Sequence, residues 1–94
     1  MAVIGVLTLE IQVEDSLSLK DKRHVVKSLN ARLRDRFNVA VAEIDGLDSW
    51  QRAVVAAVTV ANDKVRAEQV LNAAENFSAD MLGGQLVSSG VEWI

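Results

Sequence analysis

An α+β fold class is predicted by three observations. The N-terminal residues alternate apolar and polar with period two, and two later stretches carry apolar residues every three or four positions. Between those stretches lies a short run that is apolar on both faces. The 94 residues suit one domain, 1–94, and half of them are apolar, enough for a core without covalent staples.

The elements follow in order. Residues 2–13 read as a first strand, with Val3, Leu7, Leu9, Ile11 and Val13 on one face. Ile4, Val6, Thr8, Glu10 and Gln12 take the other. Ser18-Leu19-Lys20-Asp21 has the form of a capping box, in which the Asp21 carboxylate reaches back to Ser18. A helix runs from there to about Phe37 on a stripe of Val26, Leu29 and Leu33, helped by Val25 and Phe37. Residues 38–45 read as a second strand, and Asp45-Gly46 opens a hairpin. Residues 50–61 form a third strand whose continuity marks a central position. Asn62 or Asp63 caps a second helix that runs to about Met81 on Val70, Ala74, Phe77 and Met81, with Val65 at its start. Gly83-Gly84 turns the chain into a last strand, 85–94. The order β-α-β-β-α-β folds most simply as a ferredoxin-like sandwich: a four-stranded antiparallel sheet with both helices on one face and strands one and three central.

Composition removes several function classes. There is no Cys and only one His, so disulfides, thiolate metal sites and zinc sites are not expected, and no metal or cofactor is called for. No apolar run reaches a membrane span, and Met1-Ala2-Val3-Ile4 lacks the basic start of a signal peptide, so no membrane association and a cytoplasmic location are expected. Gly-rich nucleotide motifs are missing. The loop after the first strand, Glu14-Asp15-Ser16-Leu17-Ser18, is acidic and lacks Gly and Arg, which disfavours a phosphate cradle of the acylphosphatase kind. No catalytic residues are assigned.

Charge is unevenly spread. Residues 20–36 hold seven of the ten Lys and Arg against Asp21 and Asp35, a balance of +5. The rest holds three basic and eleven acidic residues, a balance of −8, which recovers the net −3. Lys20, Arg23, Lys27, Asn30 and Arg34 recur at helical spacing opposite the apolar stripe, with Lys22 and Arg36 beside them. An ordinary solvated helix face gives the same pattern. The functional reading is an anion surface of Lys20, Lys22, Arg23, Lys27 and Arg34, directed at RNA or DNA phosphates. Base stacking on the sheet, as in an RNA-recognition motif, is excluded for want of aromatics in the two central strands beyond Trp50.

Two further surfaces are candidates. Trp50, Gln51, Arg52 and Glu43 form a partner contact in one reading; in the other, Trp50 plugs the sheet end and Arg52 pairs with Glu43. The sheet face without helices is expected to carry Ile4, Val6 and Thr8 from the first strand, and Ala53, Val55, Ala57 and Thr59 from the third. That apolar face predicts a homodimer; in the other reading it is merely mildly apolar and stays wet.

Three segments acquire meaning together: Ser18-Leu19-Lys20-Asp21-Lys22-Arg23, Arg36-Phe37-Asn38-Val39-Ala40-Val41-Ala42-Glu43, and Trp50-Gln51-Arg52-Ala53. In order and spacing they resemble the YlxP-like family of small bacterial proteins of unknown function, over nearly the whole chain. The resemblance implies a ferredoxin-like fold and a cytoplasmic bacterial protein. Family members are often encoded beside transcription-termination, translation-initiation and ribosome-maturation factors, which implies by association a role near the ribosome. The leading expectation is therefore a non-enzymatic protein that binds the ribosome or structured RNA. A homodimeric protein–protein interaction module is the second, and a small-ligand sensor or enzyme with a pocket near Glu43, Arg52 and His24 the third.

Overall fold

The structure, a computed structural model, describes residues 1–94. Its elements are β1 (Val3–Gln12), α1 (Leu19–Arg36), β2 (Ala40–Asp45), β3 (Arg52–Ala61), α2 (Lys64–Leu82), a 3-10 turn Gly83–Gln85 and β4 (Leu86–Trp93). The four strands form one antiparallel sheet in the order β2-β3-β1-β4. This is the ferredoxin-like βαββαβ sandwich that the pattern predicts, with β1 and β3 central.

Period-two alternation in β1 buries Leu7, Leu9 and Ile11 completely and leaves Ile4, Val6, Thr8, Glu10 and Gln12 partly exposed on the other face. α1 starts where Ser18 Oγ accepts the Asp21 N–H at 3.2 Å. The Asp21 carboxylate accepts the Leu17 N–H, one residue earlier than a capping box places it. Val26, Leu29 and Leu33 of α1 face the sheet as expected. α2 is capped by Asp63, whose carboxylate accepts the Arg66 N–H at 2.9 Å. Its buried line is Ala67, Leu71, Ala74, Ser78 and Leu82, rotated from the predicted Val70, Phe77 and Met81, which are half-buried, while Val65 is exposed. Small residues win the central line because they let the helix backbone approach the sheet, and Ser78 satisfies its hydroxyl by donating to Ala74 O at 2.8 Å. Phe77 serves the margin instead, edge-on to Phe37 with ring centroids 5.9 Å apart.

The register of β1 against β3 corrects the expected composition of the helix-free face. Leu7 pairs with Ala57, Leu9 with Val55 and Ile11 with Ala53, and all six are buried under the helices. Thr59 also faces the core, where its hydroxyl donates to Asn38 O at 2.7 Å. Val55 and Ala57 therefore do not belong to the free face. Ile4, Val6 and Thr8 pair there with Val60, Val58 and Ala56. β3 is apolar on both sides, so its pattern carries no parity, and a one-residue choice swaps the two sets.

One core position demands the smallest residue. Gly5 faces the core opposite Trp93, and a Cβ there would lie 2.7 Å from both Leu71 Cδ1 and Trp93 Cζ3. Gly90, on the same sheet, has no atom within 4 Å of such a Cβ. Gly5→Ala is expected to cost about 1–3 kcal/mol through overpacking, and Gly90→Ala less than about 0.5 kcal/mol. Urea unfolding of the two variants against the parent chain measures the difference.

Candidate functional site

Of the segments that carried the family resemblance, residues 18–23, Glu43 and residues 50–53 meet at one end of the sandwich, while Arg36 and Phe37 lie at the other end of α1. The centre of the meeting point is Lys22, which is fully buried. Its position follows from helical spacing, because Lys22 stands four residues before Val26 and seven before Leu29, on the core stripe itself. From there Nζ donates to Glu43 Oε2 at 2.9 Å, to Gly46 O at 2.6 Å and to Arg52 O at 3.3 Å, with Leu47 O farther off at 3.5 Å. An ammonium has three N–H bonds, and these partners use them all. Lys22 thus ties the first turn of α1 to both legs of the β2–β3 hairpin.

The hairpin is shaped around that ammonium. Gly46 has φ +77°, and a Cβ there would fall 2.6 Å from the Arg52 carbonyl oxygen. Only glycine lets the chain close so tightly. Ser49 Oγ accepts the N–H groups of Gln51 and Arg52. Gln51 stitches the hairpin to the β1–α1 loop: its Nε2 donates to Glu14 O at 3.1 Å, and its carbonyl accepts the Val13 N–H at 2.7 Å. Arg52 pairs with Glu10 and Asp45, at 3.5 and 3.4 Å, and not with Glu43. Trp50 lies at the sheet end but does not plug it; the residue is 58% exposed.

The predicted site residues therefore separate. Lys22 is not an anion-binding side chain, since burial and its hydrogen bonds withdraw it from solvent. Asn30 is also buried, with its Oδ1 unpartnered, and leaves the basic face. Lys20, Arg23, Lys27 and Arg34 are exposed, and none takes part in an ion pair, because the three pairs in the molecule use only Lys22 and Arg52 as cations. His24 joins Lys20, Asp21, Arg23 and Lys27 around an open depression whose lining includes no hydrophobic residue. On the opposite flank Arg36 stacks over Phe77 at 4.7 Å and Arg32 approaches Met81 of α2. The free cations thus line the side of α1 turned away from α2. No group of three or more His, Cys, Asp or Glu is placed to hold a metal ion. No helix is long and apolar enough to cross a membrane. Glu43, Arg52 and His24 do not ring a common pocket: Glu43 and Arg52 are held in separate ion pairs, and His24 faces the depression on α1.

Topology and core place the chain in the class of ferredoxin-like α+β sandwiches. Within that class, the family described as Protein of unknown function (DUF503) matches residues 4–90, and the chain belongs to it. It is similar to the Uncharacterized protein YlxP of Bacillus subtilis (strain 168), 36% identical over 69 residues that span 73% of this chain and 75% of the relative. Among solved structures it is similar to the de novo designed protein Foldit4, with a TM-score of 0.61 at 14% identity, covering 100% of this chain and 97% of that one. A de novo designed protein with ferredoxin fold, solved by NMR, gives a TM-score of 0.53 at 10% identity over 100% and 84% of the two chains. At these identities the structural likeness is one of fold alone.

The Asp45 carboxyl is held below its ordinary range, first by the Gly46 N–H that it accepts at 2.8 Å and then by the Arg52 guanidinium. A lowered carboxylate stabilises the folded hairpin above its ordinary pKa of about 4, and that contribution is lost as pH falls through the lowered value. NMR titration of Asp45 is expected to give a midpoint below that of an unperturbed aspartate. Arg52→Gln should raise it part of the way, leaving the share that the Gly46 N–H provides. An unchanged midpoint would remove Arg52 from the cause.

Proposed function

We propose that this protein is a non-enzymatic binding protein that docks on structured RNA through the outer face of α1. One observation carries the reading: Lys20, Arg23, Lys27 and Arg34 lie exposed along one face without an ion-pair partner. From Lys20 to Arg34 the helix rises about 21 Å, a row of charge long enough to follow several phosphates. The −8 balance elsewhere orients the domain, because only this face attracts a polyanion. The genomic company implied by the family resemblance points to ribosomal RNA as the first target to test.

Four phosphate contacts predict that log K falls with log salt at a slope of about −3. Titration with ribosomal subunits and with an isolated structured RNA, from low to physiological salt, measures it. Arg23→Glu with Lys27→Glu should weaken binding by more than tenfold and roughly halve the slope, with stability unchanged. Binding that ignores both the salt and the charge reversal would sink the reading.

A second reading, self-association through the helix-free sheet face, is favoured by the contiguous set Ile4, Val6, Val58 and Val60 with Ala40, Ala42 and Ala56 beside it. An apolar set on a face that no helix covers is what a second copy would bury. Sedimentation at micromolar concentration should then give twice the 10.2 kDa chain mass, reduced to a single chain by Val58→Lys. A 10.2 kDa species in the parent chain contradicts it.

A further inference from the structure

The hairpin end of the sandwich holds a surface that the basic helix does not explain. Trp50 is 58% exposed and Leu47 is 53% exposed on the hairpin, and Leu17 is 78% exposed on the β1–α1 loop. Gln51 hydrogen-bonds these two segments together. The backbone on either side of Trp50 is pinned by Ser49 and by Gln51, and the turn is anchored to Lys22. Yet the indole has no hydrogen-bond, aromatic or cationic partner. A large ring with an unpaired N–H, on a rigid backbone at the surface, binds with little entropy left to lose.

The charge around these apolar side chains identifies what meets them. Glu14, Asp15 and Asp48 are exposed on the same two segments, and none is in an ion pair. Glu14 and Asp15 also line a shallow depression with Gln12, Gly84 and Gln85, open to a long cationic side chain. Unpaired carboxylates repel a phosphate backbone, so an RNA base stacked on Trp50 would bring its own phosphates against them. The outer face of α1 in a second copy offers cations but no large apolar side chain to cover Trp50 and Leu47. We infer that this end docks a basic amphipathic segment of a protein partner. Its apolar side chains cover Trp50 and Leu47, and its Lys or Arg residues meet Glu14, Asp15 and Asp48. Lys20 and Arg23, around the corner on α1, repel such a segment and confine it to the loops.

The chain has two Trp residues, so two indole N–H signals in an NMR spectrum report the site directly. Trp50→Phe assigns them. The probes are a synthetic Lys/Leu amphipathic helix, a Glu/Leu helix with the same apolar spacing, and a single-stranded RNA oligonucleotide. The Lys/Leu peptide should shift the Trp50 signal and leave Trp93 in place. Trp50→Ala should weaken that binding about tenfold, and Asp15→Lys with Asp48→Lys severalfold. Arg23→Glu with Lys27→Glu should not weaken it, which separates this site from the RNA reading. Equal response to the Glu/Leu peptide, a shift of Trp50 by the RNA, or no response to any probe overturns the inference.

Discussion

A single ammonium group organises this molecule. Lys22 sits on the core stripe of α1 with no exposed surface, and a buried charge is tolerated only when its N–H bonds are all used. That requirement turns the carbonyls of Gly46 and Arg52 inward and brings Glu43 to the helix. The inward carbonyls force the tight turn that only Gly46 can make. The turn in turn leaves Trp50 facing solvent on a backbone with no slack. A buried ion pair often returns little net stability, because desolvation consumes its attraction. What it contributes here is geometry: the first turn of α1 and the β2–β3 hairpin cannot move independently.

Helical phase sorts the charges of α1. Seven cations lie in residues 20–36, yet their roles differ by direction. Lys22 points inward and is consumed. Arg32 and Arg36 lean toward α2, where Arg36 rests on Phe77. Lys20, Arg23, Lys27 and Arg34 remain free. The hairpin end, a short distance along the same helix, is acidic and apolar instead. The domain therefore presents two unlike surfaces at fixed relative orientation.

The fold was legible because its signals were strong and consistent. Period two in β1, the caps at Ser18 and Asp63, Asp45-Gly46 and Gly83-Gly84 all agree with the element order. The register of β3 was not legible, since Ala53 to Ala61 offers an apolar residue on either face. The line of α2 was legible only at Ala74, because large side chains draw attention, whereas Ala67 and Ser78 allow closer packing. Lys22 was counted with the basic surface on its residue type, although its spacing from Val26, Leu29 and Leu33 placed it on the core stripe. Glu43 was singled out, but as a partner contact or as the mate of Arg52: its true partner, Lys22, is 21 positions away, and only the third dimension joins them. The free cations were legible as a set, because exposure follows from helical phase alone.

A double-mutant cycle between Lys22→Met and Glu43→Gln, read by denaturant unfolding, tests the central role of the buried ammonium most directly. If the pair acts as one unit that fixes hairpin to helix, the two losses are not additive, and the coupling is about 1–3 kcal/mol. Additive losses, with coupling near zero, would mean that Lys22 and Glu43 stabilise the fold independently and that the hairpin is held by other contacts.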